Sequence, residues 1–222
     1  MGAGNDLVVQ SKLSPLQSET VISLVLILLT VVVLGYLPSP NTTSEATAPT
    51  PLTYSTDRPS EERPTKDRYQ WRGGAADPKY IELPTIKSEG FIQPVGVDQY
   101  EQVAVPDNIH LAGWFSESVR PGKPGLSIID GHVDGRSSDG IFKRLAQLAV
   151  GDNYNIELGD GRKVSFKVTA VQTVATHAAA DVLFSQSPGI KRQLNLITCG
   201  GSFDSGAREY EQRVIVSSEA QL

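Results

Sequence analysis

Cys199 is the only cysteine in the 222-residue chain, and three histidines accompany it, His110, His132 and His177. Cys199 stands in Leu194-Asn195-Leu196-Ile197-Thr198-Cys199-Gly200-Gly201, a strand-forming apolar run stopped by a glycine pair. A sulfur placed there is fixed by the scaffold and reachable from the loop. On this stretch alone a small core residue and a nucleophile are equally good readings, because free cysteine is often buried. A second strand-like run, Leu126–Gly131, ends in Gly131-His132-Val133-Asp134-Gly135. Two such strand ends can meet at one rim of a barrel. A thiol beside an imidazole is the minimal set for thiol acyl transfer: the thiolate attacks and the imidazolium protonates the leaving amine. Arg213 opens a further run, Val214-Ile215-Val216, and can return beside Cys199 as an antiparallel neighbour. A guanidinium there could donate to a developing oxyanion, with Arg208 of the same loop as the competing residue. Thr198 and Gly200, flanking the sulfur, are candidate substrate contacts, and backbone N–H groups near Cys199 and Gly200 are further oxyanion donors.

Other chemistries fit poorly. One cysteine cannot close an internal disulfide or build a multi-cysteine metal site. The histidines lie in separate segments without metal-ligand spacing, so neither a metal nor another cofactor is expected. Asp152, Glu157 and Asp160 do not follow a calcium-loop pattern. The formal charge of -5, with no dense basic patch, argues against nucleic acid. His110 and His177 read as surface or loop histidines, Trp114 as a core anchor, and Asp134 as a turn cap in preference to an orienter of His132.

The elements that must position these residues begin only near Lys79. Residues 1–20 are polar and irregular. Val21–Leu37 is apolar apart from Ser23 and Thr30, near the short end of what spans a bilayer. Leu37-Pro38-Ser39-Pro40 follows it in place of a small-residue cleavage site, so an uncleaved anchor is preferred over a signal peptide. Lys12 precedes the run and no Lys or Arg follows it until Arg58, which points to an inside amino terminus, an outside body and a cell-membrane location. Residues 38–78, rich in Pro, Thr and Ser, read as a spacer that cannot bury enough apolar surface to fold, although Tyr69 and Trp71 near its end could equally dock on the body. From 79 to 222 short strand patterns recur: Tyr80–Leu83, Gly90–Val97, Glu101–Val105, Leu111–Trp114, Leu126–His132, Tyr154–Leu158, Lys163–Val174, Leu194–Thr198 and Gln212–Ser217. Gly140–Leu148 has helical spacing, and Ala178–Phe184 fits a short helix. The sum is a mainly β domain, a compact barrel or sandwich.

With these residues in view the chain resembles the sortases, cysteine transpeptidases of Gram-positive-type cell surfaces. The family's Thr-Leu-x-Thr-Cys motif is matched by Asn195-Leu196-Ile197-Thr198-Cys199, with Asn for the first Thr. Its strand-ending Gly-His pair is matched by Gly131-His132. Its arginine at the start of a last apolar strand is matched by Arg213-Val214-Ile215-Val216. Val105-Pro106-Asp107, Gly113-Trp114-Phe115 and Cys199-Gly200-Gly201-Ser202-Phe203-Asp204 bring it nearest to the class F, actinobacterial-type group. The family places Cys after His, unlike papain-like hydrolases. The resemblance implies an eight-stranded sortase-type β-barrel behind a transmembrane helix and linker. It implies Cys199 attack on the Thr–Gly bond of a Leu-Pro-x-Thr-Gly-like sorting signal through a thioester. His132 would be acid and base, Arg213 the oxyanion partner, and a cell-wall or pilin amine the acceptor. In class F relatives a positive residue often lies slightly earlier in this loop, which keeps Arg208 open. A thiol hydrolase of the same acyl-enzyme chemistry and a tethered, non-catalytic binding module are the alternative functions.

Overall fold

A computed structural model describes residues 58–98 and 101–221. The expected amino-terminal segment 1–20, the anchor 21–37 and the first part of the spacer lie outside these residues. Among the described residues no helix is long and apolar enough to cross a membrane.

Eight strands close into a barrel: β1 (Pro78–Leu83), β2 (Ser88–Val95), β3 (Ala112–Phe115), β4 (Gly125–Gly131), β5 (Asn153–Leu158), β6 (Lys163–Ala175), β7 (Arg192–Asp204) and β8 (Glu209–Gln221). Their order round the barrel is β1-β2-β3-β4-β7-β8-β6-β5. The β2–β3 and β4–β7 pairs are parallel and the other six antiparallel. Parallel neighbours cannot be joined by a hairpin, so each needs a crossover. One crossover carries residues 96–111. The other carries β5, β6 and the only α-helix among the described residues, α1 (Ala179–Leu183).

Why Leu194-Asn195-Leu196-Ile197 and Val214-Ile215-Val216 are nearly continuous in apolar character is now plain. Leu194, Leu196, Val214 and Val216 point into the barrel with Ile129, Phe142, Tyr154 and Phe166. Ile197 and Ile215 point outward, where Phe115, Ile128 and the α1 residues Ala179 and Leu183 cover them. A strand covered on both faces cannot show the polar alternation of a half-exposed one. Each large aliphatic side chain fully buried here contributes about 2 kcal/mol. Trp114 is buried in the interior cluster, as expected of a core anchor.

Four sequence expectations need correction. Gly140–Leu148 is not an α-helix: it closes as i→i+3 turns with a 3-10 helix at Leu145–Gln147. Ile141, Phe142, Leu145 and Leu148 are all buried, so this short plug serves the barrel interior on several sides instead of presenting one helical stripe. Glu101–Val105 is not a strand; Val97 and Val103 form one isolated bridge within the crossover loop. The glycine pair does not stop β7, which continues through a bulge between Gly200 and Phe203 and pairs with β8 up to Asp204 and Glu209. Gly201 takes the positive φ of 72° there, which glycine adopts without steric cost.

The fourth concerns the spacer. Residues 58–77, assigned to it by composition, run along the barrel. The Ser60 and Ile109 backbones bond through Ile109 N–H to Ser60 O at 2.9 Å, and Asn108 Nδ2 donates to Glu62 O at 2.8 Å. Tyr69 packs on Phe91 with ring centroids 4.6 Å apart, and Trp71 Nε1 donates to Ile92 O at 2.9 Å. The last bond meets a need of the sheet, because β1 pairing with β2 ends at Phe91. Beyond it β2 is locally an edge, which is also where Pro94 is tolerated.

Candidate active site

Cys199 is half-buried and its sulfur is free. Its Cα partner across the β7–β8 ladder is Arg213, and the pair two steps along is Ile197 with Ile215. Side chains alternate along a strand, so Cys199 and Arg213 share the outward face with Ile197 and Ile215. Arg213 Nη1 donates to Thr176 Oγ1 at 2.9 Å, to Tyr210 O at 2.8 Å and to Gln212 O at 3.0 Å. One end of the guanidinium is thus fixed beside the sulfur's strand, and no hydrogen bond among the described residues engages Nε or Nη2. Arg208 lies elsewhere. It sits in the turn beyond the Asp204–Glu209 pair with φ 57°, five strand positions from Cys199. At about 3.3 Å per residue that is roughly 16 Å.

His132 follows β4 directly. The parallel β4–β7 ladder ends with Asp130 opposite Ile197. One position further the Thr198 hydroxyl donates to Gly131 O at 2.7 Å. His132 and Cys199 therefore leave the ladder at the same level. The His132 carbonyl accepts from Phe142 N–H at 3.0 Å, and its ring Nε2 meets Pro106 O at 2.7 Å. A carbonyl only accepts, so Nε2 carries the hydrogen and Nδ1 is left to exchange protons. Thr198, expected as a substrate contact, is buried on the face opposite Cys199, and its hydroxyl is spent on the histidine strand. Gly200 stays beside the sulfur at the start of the bulge, paired with Gln212.

The electrostatics push the two reactive groups in opposite directions. Burial raises the Cys199 thiol; Arg213 pulls it back, while Asp130, Asp134 and Glu209 push it up further. Burial lowers His132, with the Pro106 carbonyl and Asp134 opposing. Neutral thiol and neutral imidazole are the dominant forms near pH 7.

Asp134, expected to cap its turn, instead accepts the Tyr210 hydroxyl at 2.8 Å on both carboxylate oxygens, with Lys143 Nζ at 3.6 Å. Tyr210 thereby joins the histidine loop to the hairpin that carries Arg213. His110, expected in a surface or loop position, lies in a loop turn but is buried there, and its Nε2 donates to Glu61 O at 3.1 Å. His177 is exposed. Asn195 is fully buried; its Nδ2 donates to Leu183 O at 2.7 Å, tying α1 to β7, a strand-packing role. Among the described residues no cluster of His, Cys, Asp and Glu could hold a metal.

Sequence reasoning missed the Pro106 carbonyl, Tyr210 and Asp130. A backbone carbonyl has no side-chain signature. Tyr210 lies in an exposed hairpin of mixed composition. Asp130 was legible only as an acid interrupting an apolar strand. It is 5% exposed, and its Oδ1 has no partner. A Cβ at Gly113 would collide with that oxygen, so the glycine makes room for it. Burial lifts the Asp130 carboxyl well above its ordinary range. A group whose folded pKa is raised favours the fold most below its unfolded pKa, and that contribution is lost as pH rises towards the folded value. Asp130→Asn cannot ionise, so it escapes that cost and is expected to stabilise the protein at pH 7.5, by about 1.4 kcal/mol for each unit by which burial raises the carboxyl. The gain should vanish near pH 3.5, where the carboxyl is protonated folded or unfolded. Urea melts at the two pH values check this; an equal shift at both would contradict it.

Residues 81–221 match the family described as the sortase domain. The chain belongs to the sortase family, cysteine transpeptidases that act on sorting signals. Among solved structures it is similar to a lid mutant of sortase A from Corynebacterium diphtheriae, with TM-score 0.52, 21% identity, and 71% of this chain and 74% of that one covered. It is also similar to sortase C2 of Group B Streptococcus pilus island 1, with TM-score 0.50, 16% identity, and 68% and 77% covered. These likenesses bear on the fold alone. No curated protein sequence matches.

Proposed function

We propose that this sortase is a class F-type, membrane-anchored transpeptidase whose catalytic residues are Cys199, His132 and Arg213. The observation that carries the reading is the in-register Cys199–Arg213 pair on an outward face, level with the strand end that delivers His132. The Cys199 thiolate attacks the Thr–Gly carbonyl of a Leu-Pro-x-Thr-Gly-like sorting signal. Arg213 and backbone N–H groups near Gly200 stabilise the oxyanion. The His132 imidazolium protonates the leaving glycine amine as the C–N bond breaks, leaving a thioester on Cys199. An incoming amine on a cell-wall precursor or pilin gives its proton to His132 and displaces the sulfur. The apolar run Val21–Leu37 anchors the enzyme in the cell membrane with the barrel outside.

The test is incubation with a fluorogenic sorting-signal peptide, with and without an oligoglycine amine. Amine-dependent ligated product supports transfer; hydrolysis alone, unchanged by amine, favours the thiol hydrolase. The pH dependence follows from the shifts. The competent pair is thiolate with imidazolium, a minor form because the thiol is raised and the imidazole lowered. Activity should fall on the acid side only below the ordinary histidine range and on the alkaline side only above the ordinary thiol range. The expected kcat/KM profile is a broad bell with a flat top across neutrality. A narrow optimum with an acid limb above pH 7 would contradict these directions.

A further inference from the structure

We propose that Glu61, on the strap outside the family-matched barrel, is a positioning residue for His132. The inference rests on the catalytic reading given above. The Glu61 carboxylate accepts from Arg136 N–H at 2.6 Å, from Ser137 N–H at 3.1 Å and from the Ser137 hydroxyl at 2.6 Å. These donors belong to the turn that begins two residues after His132 and is closed by Gly135 N–H on Ser138 O at 2.7 Å. A Cβ on Gly135 would lie 2.8 Å from the Glu61 carboxylate carbon, so the acid is seated directly against the turn. The bonds hold the Glu61 carboxyl below its ordinary range, the Ser137 hydroxyl first and the Arg136 amide next. It is thus ionised at neutral pH.

The same residue is fixed from behind. Its carbonyl accepts from buried His110 Nε2 at 3.1 Å. Its neighbours are held too, Ser60 N–H on Asp107 O at 2.7 Å and Asn108 Nδ2 on Glu62 O. The segment that receives the strap also supports the histidine: Pro106 O meets the His132 ring, and Ile109 O accepts from Ile141 N–H at 2.8 Å, next to the Phe142 amide on the His132 carbonyl. His132 therefore stands between two supports, the Pro106 carbonyl on its ring and a turn clamped by Glu61. A turn of exposed Arg136 and Ser137 has little apolar contact of its own to fix it. An ionised acceptor on two adjacent amides and a hydroxyl supplies that order.

Glu61→Ala removes all three bonds; Glu61→Gln keeps one acceptor oxygen. The full chain is the protein to use. Amide exchange at residues 136 and 137 and the NMR titration of the His132 ring are measured for wild type and both variants. The expected result is exchange at these amides at least tenfold faster in Glu61→Ala, with Glu61→Gln between. The His132 pKa should rise towards its ordinary value as water reaches the ring. On a sorting-signal peptide, kcat should fall about tenfold in Glu61→Ala with KM little changed. Unchanged His132 titration and unchanged local exchange in Glu61→Ala would overturn the proposal. So would exchange that rises equally throughout the barrel, which marks general destabilisation. Exchange and titration need no substrate. A wild-type protein inactive on every peptide would therefore count against the transpeptidase reading, while these two measurements still decide whether Glu61 holds the histidine turn.

Discussion

Replacing Cys199 with alanine is expected to abolish acyl transfer, by at least 10³-fold, while leaving the fold and its melting temperature nearly unchanged. The sulfur is half-buried on the outward face beside Arg213, and Cys199 belongs to neither apolar cluster on β7. Losing one small atom there leaves no cavity of consequence, so a stability change under about 1 kcal/mol is expected. Two measurements suffice: turnover of a fluorogenic sorting-signal peptide, and thermal or urea unfolding. A core cysteine would give the opposite pattern, a loss of several kcal/mol with activity surviving in whatever remained folded.

Arg213→Ala should lower kcat/KM by about 10²-fold or more, equivalent to roughly 3 kcal/mol of transition-state stabilisation. The guanidinium is preorganised. Three acceptors already hold Nη1, so the guanidinium need not be ordered during reaction. Arg213→Lys should recover only part, because an ammonium cannot both keep those bonds and present a planar fork. Arg208→Ala should cost less than about tenfold, since the hairpin turn carries it away from the sulfur. Each variant is compared in steady-state kinetics at matched circular dichroism and melting temperature. A larger loss for Arg208→Ala than for Arg213→Ala would reverse the assignment.

The sequence disclosed those parts of the fold that depend on local pattern. The expected strand patterns Tyr154–Leu158 and Lys163–Val174 appear as β5 and β6, joined by a turn at Gly159-Asp160-Gly161, and α1 falls within the expected Ala178–Phe184. The positions of Cys199 and Arg213 on strands, and of His132 just past a strand end, were legible because each borders an apolar run. That Arg213 can pair across from Cys199 was legible from a short connection between two runs, with Arg208 left open until the ladder showed the partner. Less was legible where a contact is long-range. Glycines at 200 and 201 signal a stop, yet β8 continues to pair past them and turns the stop into a bulge. Ile141, Phe142, Leu145 and Leu148 have helical spacing because the barrel interior wants them all, while Phe142 N–H is taken by the His132 carbonyl. Composition gave residues 58–77 no core of their own. Their partners Asn108 and His110 lie in the 96–111 crossover and Ile92 on β2, and within the strap only the aromatic pair Tyr69 and Trp71 hinted at docking. Thr198 shows the limit most clearly: adjacency to the sulfur in sequence puts its side chain on the opposite face in a strand.

The most direct test of the central claim is intact-mass spectrometry of the enzyme mixed with a sorting-signal peptide and quenched in acid at short times. A mass increase equal to the acyl portion ending at threonine, mapped to Cys199, is predicted. It should disappear on adding an oligoglycine amine, with ligated peptide formed in equal amount. No adduct in the presence of peptide cleavage, or an adduct that persists in Cys199→Ala, would contradict the account.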